Sequence, residues 1–329
     1  MDFNKLLVKI KETAKLVDEY MLNNLKGRVK KLYEASQHLI KGGGKRLRPF
    51  LVLTSYNVFR DDIERALPIA AAIEIFHTFT LIHDDIMDQD ETRRGLPTVH
   101  VIWGVPFAIL TGDLLHAKTY ELLTKANIKT EIALQIAREM AESAVRICEG
   151  QAMDMDFETR TDVTVEEYIE MIRGKTAFLF RSSARFGALA AEAQEDMIEA
   201  LTNYGDYLGI AFQMVDDIIG LFGEKKETGK PVGSDIRESK KTYPILYALN
   251  NAPEEKRKRL LEILTLKTKT ENDIREAIDI IRKSGGEEAT RNLARTYAQK
   301  AIDAIKNLPE NAPKQYLIQL AQFAIERSY

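Results

Sequence analysis

Apolar residues recur along this chain at helical rather than strand period. Leu6, Ile10, Ala14, Leu16 and Tyr20 fall on such a pattern near the start. Leu260, Leu261, Ile263 and Leu264 continue it late, and Leu317, Leu320, Phe323 and Ala324 close it. Alternating apolar and polar runs bounded by turn residues, the mark of strands, are scarce. Two helix starts are legible. Thr164-Val-Glu-Glu167 is a capping box, in which hydroxyl and carboxylate satisfy each other's backbone N–H groups. Pro253-Glu-Glu suits a first helical turn, where proline's missing donor is not needed. The breaks are short: Gly42-Gly-Gly44, Gly95-Leu-Pro97, Gly229-Lys-Pro231-Val-Gly233, Ser284-Gly-Gly286, and the stretch 307–313 with Pro309 and Pro313. No low-complexity linker or fixed-period repeat divides the chain. These patterns predict an all-α fold: one domain over residues 1–329, a bundle of about ten or more helices around a central apolar cavity.

Composition narrows the function classes. The chain has 329 residues, 45% of them hydrophobic, enough for a large core. A net charge of −3 and a pI near 6.1 give no global field for nucleic acid. Cys148 is the single cysteine, which excludes an internal disulfide framework and cysteine-based zinc sites. The histidines His38, His77, His83, His100 and His116 show no HExxH spacing. No run of about 18 apolar residues is present, so no membrane-spanning helix is expected. The first residues alternate charge and apolar side chains without a signal-peptide core, and a soluble, cytoplasmic protein is the expectation.

Two acidic pairs inside apolar, helix-patterned sequence carry the chemistry. They are Leu81-Ile-His-Asp84-Asp85-Ile-Met-Asp88 and Phe212-Gln213-Met-Val-Asp216-Asp217-Ile-Ile-Gly220. A buried carboxylate must be paired or bind a cation. Asp84 and Asp88, at i and i+4, share a helix face, with His77 seven residues back on the same face. Gln213 lies three residues before Asp216 as a neutral donor for a phosphate oxygen. Hard oxygen ligands select magnesium, which needs one or two carboxylates plus substrate phosphates. The competing reading of the first motif is a solvated acidic surface, favoured by Asp90 and Glu91 but not by Leu81, Ile82, Ile86 and Met87. For the second it is a buried pair with Lys225 or Lys230. Cations stand in three further places: Gly44-Lys45-Arg46-Leu-Arg48-Pro49; Arg93-Arg94-Gly95, about two and a half helical turns beyond Asp84 and able to bracket a phosphate; and Lys175-Thr176, with Lys230 and Lys240 after the second pair. The glycine loop is no Walker A sequence, because Arg46 follows the lysine. Together they point to diphosphate bound by both magnesium and direct cations.

These residues resemble the trans-isoprenyl diphosphate synthases, the farnesyl and geranylgeranyl diphosphate synthase family. The resemblance runs almost end to end, in order: Lys45 to Pro49, Asp84 to Asp88, Arg93-Arg94-Gly95, Gly150-Gln151, Lys175-Thr176, Phe212 to Asp217, Gly229-Lys230 and Lys240-Lys241-Thr242. It implies that Lys45, Arg48, His77 and Arg94 hold isopentenyl diphosphate, and that Arg93, Lys175, Thr176, Gln213, Lys230 and Lys240 hold the allylic diphosphate (dimethylallyl, geranyl or farnesyl). By the same resemblance Asp84, Asp88 and Asp216 bind three magnesium ions per site, supported by Asp85 and Asp217, and Arg327 closes over a diphosphate. Lys175, Thr176 and Gln213 are the catalytic set for ionisation and head-to-tail 1′-4 coupling. Gly220 departs from the many members with a third aspartate there, as archaeal-type members do. The family is usually a homodimer.

Product length should follow bulk on the first aspartate helix. Phe79 precedes Asp84 by five residues, hence about 7.5 Å along the axis. Thr80 is small, and Phe76 lies one turn deeper. This pattern resembles archaeal-type geranylgeranyl (C20) synthases, with a farnesyl (C15) or mixed C15/C20 enzyme as alternative. Ordinary core packing is the competing role for both phenylalanines. A terpene cyclase would not need Lys45, Arg48 and His77, and a head-to-head synthase would carry DxxxD motifs. A non-catalytic subunit of a heteromeric synthase would be expected to lose site residues, whereas here the set is complete.

Overall fold

The computed structural model describes residues 3–223 and 232–326. In chain order its elements are α1 (Asn4–Asn24), α2 (Lys30–Lys41), α3 (Leu47–Asn57), α4 (Leu67–Met87), β1 (Thr92–Arg93), β2 (Leu96–Pro97), α5 (Val99–Trp103), α6 (Val105–Leu123), α7 (Thr130–Phe157) and α8 (Val165–Ile172). A π-helical turn, Arg173–Ala177, leads into α9 (Phe178–Ala190). There follow α10 (Glu195–Phe222), α11 (Ser234–Arg237), α12 (Tyr243–Asn251), α13 (Glu254–Thr265), α14 (Glu271–Lys283), α15 (Gly286–Ala304) and α16 (Ala312–Glu326). Among the described residues the strands are one antiparallel pair of two residues each, so the fold is all-α as the periodicity predicts. Residues 42–44, 284–285 and 307–311 separate helices, while Gly286 and Pro313, expected in the breaks, lie in the first turns of α15 and α16. The Thr164–Glu167 capping box forms at the start of α8. Pro253 stands one position earlier than expected, as the residue before α13 rather than in its first turn.

The chain forms two compact units. One comprises Met1–Ala141, Ser182–Thr202 and Asn307–Gln319; the other comprises Glu142–Arg181, Asn203–Lys306 and Leu320–Tyr329. In the first, α4 is the central element. Every residue from Leu67 to Phe76 is buried, and α3 is buried from Pro49 to Tyr56. A helix apolar on all sides belongs inside a helical layer, and α4 packs on α1, α3 and α6. Truncating a fully buried phenylalanine such as Phe76 to alanine would cost about 3–5 kcal/mol. In α1 the buried stripe is Leu6, Ile10, Thr13, Val17 and Met21, whereas Ala14, Leu16 and Tyr20 are only half-buried. From Leu6 and Ile10 the 3.6-residue period rotates onto the threonine and valine.

The second unit is built on two apolar clusters. One joins Leu221, Ile236, Ile245, Leu260, Ile263, Ile274 and Ile281 across α10 to α14. The other joins Phe157, Tyr168, Ile172, Ala177, Ile210 and Met214, and so fixes the π-helical turn between α7 and α10.

Candidate active site

In the first unit, Asp84, Asp85 and Asp88 lie at the C-terminal end of α4, where helix dipole and orphan carbonyls repel anions. No basic residue in the last turn of α4 offsets them. The compensating charge comes from the chain beyond. After Met87 the chain leaves the helix and folds back through a hairpin whose central residues, Arg94 and Gly95, have φ of 55° and 76°. Positive φ at both positions is the geometry of a two-residue hairpin turn, and glycine takes it without strain. Arg93 therefore does not continue a helix away from Asp84. Its Nε donates to Asp85 Oδ1, and its Nη2 lies 3.8 Å from Asp84 Oδ2 and 3.4 Å from Asp90 Oδ2. Asp85 is buried, and burial raises its carboxyl to about 6 although Arg93 opposes the shift. Its second oxygen, Oδ2, is buried with no hydrogen-bond partner among the described residues. Asp84 remains half-buried, its side chain 22% exposed, and Asp88 is half-buried at the helix end.

The cations around α3 divide into two roles. Arg46 is fully buried, donating to Asp18 Oδ1 at 2.7 Å, Glu74 Oε1 at 2.9 Å and Ile40 O at 2.8 Å, so it anchors the loop. Lys45 is exposed, and Arg48 is half-buried in the first turn of α3. Arg48 Nη1 donates to His77 Nε2 at 3.1 Å. An arginine only donates, so the accepting Nε2 is bare and the imidazole proton sits on Nδ1. Burial first, then Arg48, Arg94, Arg93 and Arg46, hold His77 well below its ordinary pKa. His77 is thus a neutral imidazole at a gathering of guanidinium groups. Arg94 donates to the backbone oxygens of Gly43 and, at 3.2 Å, Leu39. The start of α3 has no side-chain cap, so its amide groups add a positive terminus beside Lys45 and Arg48.

Deeper on α4, Phe76 is fully buried and Phe79 half-buried; their rings meet edge-on at 5.3 Å. Thr80 Oγ1 donates to His77 O at 2.8 Å. The sequence argument missed the far side of this cluster. His116 of α6 lies 6.0 Å from Phe76 and 5.0 Å from Phe79, and Tyr120 lies 5.3 Å behind it. His83 packs on Phe79 at 5.1 Å. Repeating aromatic spacing along residues 116–120 was the available signal.

In the second unit, Gly150 and Gly174 let α7 and the π-helical turn touch backbone to backbone. A Cβ on Gly150 would stand 2.3 Å from Lys175 N. π-Helical turns inside α-helical sequence often occur at functional sites. Here the turn directs Lys175 onto Asp154 Oδ2 at 2.6 Å. Lys240 reaches the same oxygen at 3.0 Å and Glu158 Oε1 at 2.7 Å. Burial alone would raise Asp154, but Lys175 and Lys240 hold it below its ordinary value. Sequence reasoning missed Asp154 and Glu158, although they repeat the i, i+4 acidic spacing of Asp84 and Asp88.

Thr176 Oγ1 donates to Gln213 Oε1 at 2.7 Å, Gln213 Nε2 donates to Asp217 Oδ1 at 2.8 Å, and Tyr168 OH donates to Asp217 Oδ2 at 2.5 Å. The Gln213 donor, expected on the Asp216 face for phosphate, is committed to Asp217 instead. Asp217 and Tyr168 are buried, which pushes both groups well above their ordinary values and keeps the phenol proton in place. Asp216 is half-buried. Beside Gly220 stands an acid that the motif reading missed. A Cβ at 220 would meet Asp235 Oδ1 at 2.7 Å, so α11 delivers a carboxylate where a third aspartate of α10 would project. Lys230, with Lys225, Gly229 and Arg327, lies outside the described residues. Among the described residues no three acidic, histidine or cysteine side chains form a metal-ion cluster.

The sequence profile of polyprenyl synthetases matches residues 29–281. The chain belongs to the polyprenyl synthetase family. It is 46% identical to the geranylgeranyl diphosphate synthase of Saccharolobus solfataricus over 331 aligned positions, covering 99% of each protein. The geranylgeranyl pyrophosphate synthetase of Pyrococcus horikoshii Ot3 is similar in structure, with a TM-score of 0.93, 43% identity and 99% of each chain covered. A polyprenyl synthase of Caulobacter crescentus CB15, solved with calcium and isoprenyl diphosphate, has a TM-score of 0.90 at 33% identity, covering 99% of this chain and 98% of that one. Membership in the polyprenyl synthetases bears out the resemblance drawn from the ordered motifs, and with it an all-α prenyl-transferring enzyme.

Proposed function

We propose that this polyprenyl synthetase condenses isopentenyl diphosphate with allylic diphosphates head to tail, giving mainly geranylgeranyl diphosphate, and that residues 1–329 act as one catalytic domain. The observation that carries this reading is the parallel build of the two acidic motifs. In each, one of two adjacent aspartates is locked inward, Asp85 by Arg93 and Asp217 by Tyr168 and Gln213, while its neighbour is half-buried. Asp84 and Asp88, at the unfavourable end of α4 beside the unpartnered Asp85 oxygen, fit a hard divalent cation. Asp216 would hold the same kind of ion, with the Asp235 carboxylate in place of one at 220. Magnesium held by these carboxylates, three ions in all, would supply positive charge to the diphosphate leaving group as its own charge develops.

This chain's own residues supply the rest. Lys175 and Lys240, oriented by Asp154, draw the allylic diphosphate and steady its departure. The allylic C–O bond breaks with its electron pair on diphosphate. Thr176, its proton given to Gln213, turns lone pairs toward the carbocation. Lys45, Arg48, His77 and Arg94 hold the second diphosphate so that the isopentenyl π-bond attacks the allylic carbon. A proton then leaves to the released diphosphate, so no protein base is needed. Phe79 and Phe76, backed by His116, end the apolar wall along which the product grows; their bulk also favours some C15 product. Val101, Ile102, Val105, Ile109 and Leu110 form an exposed apolar stretch on α5 and α6, suited to pairing two copies as a homodimer. No helix of the described residues is long and apolar enough to cross a membrane.

The test is incubation with labelled isopentenyl diphosphate, magnesium and each allylic primer, followed by chromatography of the dephosphorylated products. A dominant C20 alcohol is expected. Absence of any elongated product would overturn the reading.

A further inference from the structure

We infer that Tyr168 is a positioning residue for the prenyl-transfer step: through Asp217 and Gln213 it fixes the orientation of the Thr176 hydroxyl. This rests on the function proposed above. The four groups form one directional chain across α8, α10 and the π-helical turn. Tyr168 OH donates to one oxygen of Asp217 at 2.5 Å, and Gln213 Nε2 donates to the other at 2.8 Å. Both Asp217 oxygens thus accept. The Gln213 amide can turn only its carbonyl toward Thr176, whose hydroxyl donates to it at 2.7 Å. An amide is nearly symmetric in shape, so its orientation is set by its partners. A hydroxyl has one proton and two lone pairs. With the proton committed to Gln213, Thr176 has none left for diphosphate and presents only acceptor density to positive charge.

The phenol is the far anchor of this chain. Tyr168 and Asp217 are buried, the tyrosine fully, so no water replaces a lost donor cheaply. Without that donor, Asp217 is no longer held between two partners, and the Gln213 amide can reverse. Thr176 then faces an NH2 group and must turn its proton elsewhere. Apolar packing of the Tyr168 ring in the cluster with Ile172 and Met214 is a separate duty, which phenylalanine preserves.

The experiment is a double-mutant cycle in the full-length protein with magnesium, isopentenyl diphosphate and geranyl diphosphate, at a temperature where melting curves show every variant folded. Tyr168→Phe should lower kcat about tenfold or more with the KM for isopentenyl diphosphate unchanged. In a Thr176→Val background the same change should cost little, because the hydroxyl it orients is gone. Thr176→Ser, which keeps the hydroxyl, should restore the sensitivity. Asp217→Asn serves as a second variant on the chain if Tyr168→Phe does not fold, with the same dependence on Thr176 expected. An equal kcat loss in both backgrounds, or no loss from Tyr168→Phe, would overturn the inference. Lack of product from the wild-type protein would instead overturn the function on which it rests.

Discussion

The two acidic motifs look alike in sequence but are compensated by opposite means. At the first, the buried Asp85 is met by a cation, Arg93, delivered by a hairpin eight residues downstream. At the second, the buried Asp217 is met by the neutral donors Tyr168 and Gln213, with another acid, Asp235, nearby. Burial accordingly raises Asp85 to about 6, against the pull of Arg93, while Asp217 is driven well above its ordinary value. Near the second motif, Lys175 and Lys240 both donate to Asp154. The difference teaches that adjacent aspartates are not a repeated cassette. One carboxylate in each is buried, held by a cation in the first motif and by neutral donors in the second.

The most severe way to break this comparison is to remove the half-buried member of each pair. Asp84→Ala and Asp216→Ala should each reduce turnover on the order of a thousandfold while melting temperatures hold, because each would delete a half-buried charge proposed to face magnesium rather than a packed one. Asp235→Asn should cost less, roughly ten- to a hundredfold, with a raised magnesium requirement. If Asp216→Ala retained near-wild-type turnover in steady-state assays, the second motif would be structural throughout.

A smaller effect separates the cation sets. Lys45→Ala or Arg48→Ala should raise the KM for isopentenyl diphosphate roughly ten- to a hundredfold, the worth of a charge-assisted phosphate contact. Lys240→Ala should act on allylic binding and kcat. Steady-state kinetics with each substrate varied in turn would decide it, and an effect of Lys45→Ala confined to the allylic substrate would redraw the division.

How much of this was legible follows from what sequence period can carry. Spacing identified the helices, placed Asp84 and Asp88 on one face, and ordered the motifs well enough to find the family. It failed where partners are distant in the chain. Tyr168 lies 49 positions from Asp217, and Lys240 lies 86 from Asp154, so no local pattern joins them. It failed also at reversal. Arg93 read as a forward continuation of the acidic helix, and only the positive φ values at Arg94 and Gly95 turn it back. Asp235 is the subtlest case, since a missing side chain at Gly220 gives no hint that another helix fills the space. Arg46 and Arg48, two residues apart, showed equal charge in sequence, yet one is a buried anchor and the other reaches His77.

Product length should shift without touching either acidic motif. Phe79→Ala removes the half-buried ring of the α4 wall and should move the main product beyond C20, while Thr80→Phe should move it toward C15. Phe76→Ala should lengthen products less cleanly, because its ring is fully buried and its loss destabilises the core. Chain-length profiles of the dephosphorylated products measure this. An unchanged profile in folded Phe79→Ala would leave only a packing role for that ring.

The smallest expected effect is one of stability against pH, and it belongs to the first unit. His77 is held neutral by burial and by Arg48, Arg94, Arg93 and Arg46, well below the 6.5 of a free imidazole. Above that value the folded and unfolded chains both leave it uncharged, and its full contribution is present. As pH falls through 6.5 the unfolded chain takes up a proton that the folded one refuses, so stability is lost on acidification, at no more than about 1.4 kcal/mol per pH unit for one group. Glutamine can accept from Arg48 through its side-chain oxygen but does not titrate. The His77→Gln protein should therefore show a shallower fall in urea midpoint between pH 7 and 5 than the parent, measured without substrate or metal so that diphosphate binding does not enter. No histidine in the second unit could mimic this, since all five lie before residue 142. Identical slopes for parent and variant would mean that His77 is protonated in the folded chain, and the accepting role assigned to its Nε2 would fall.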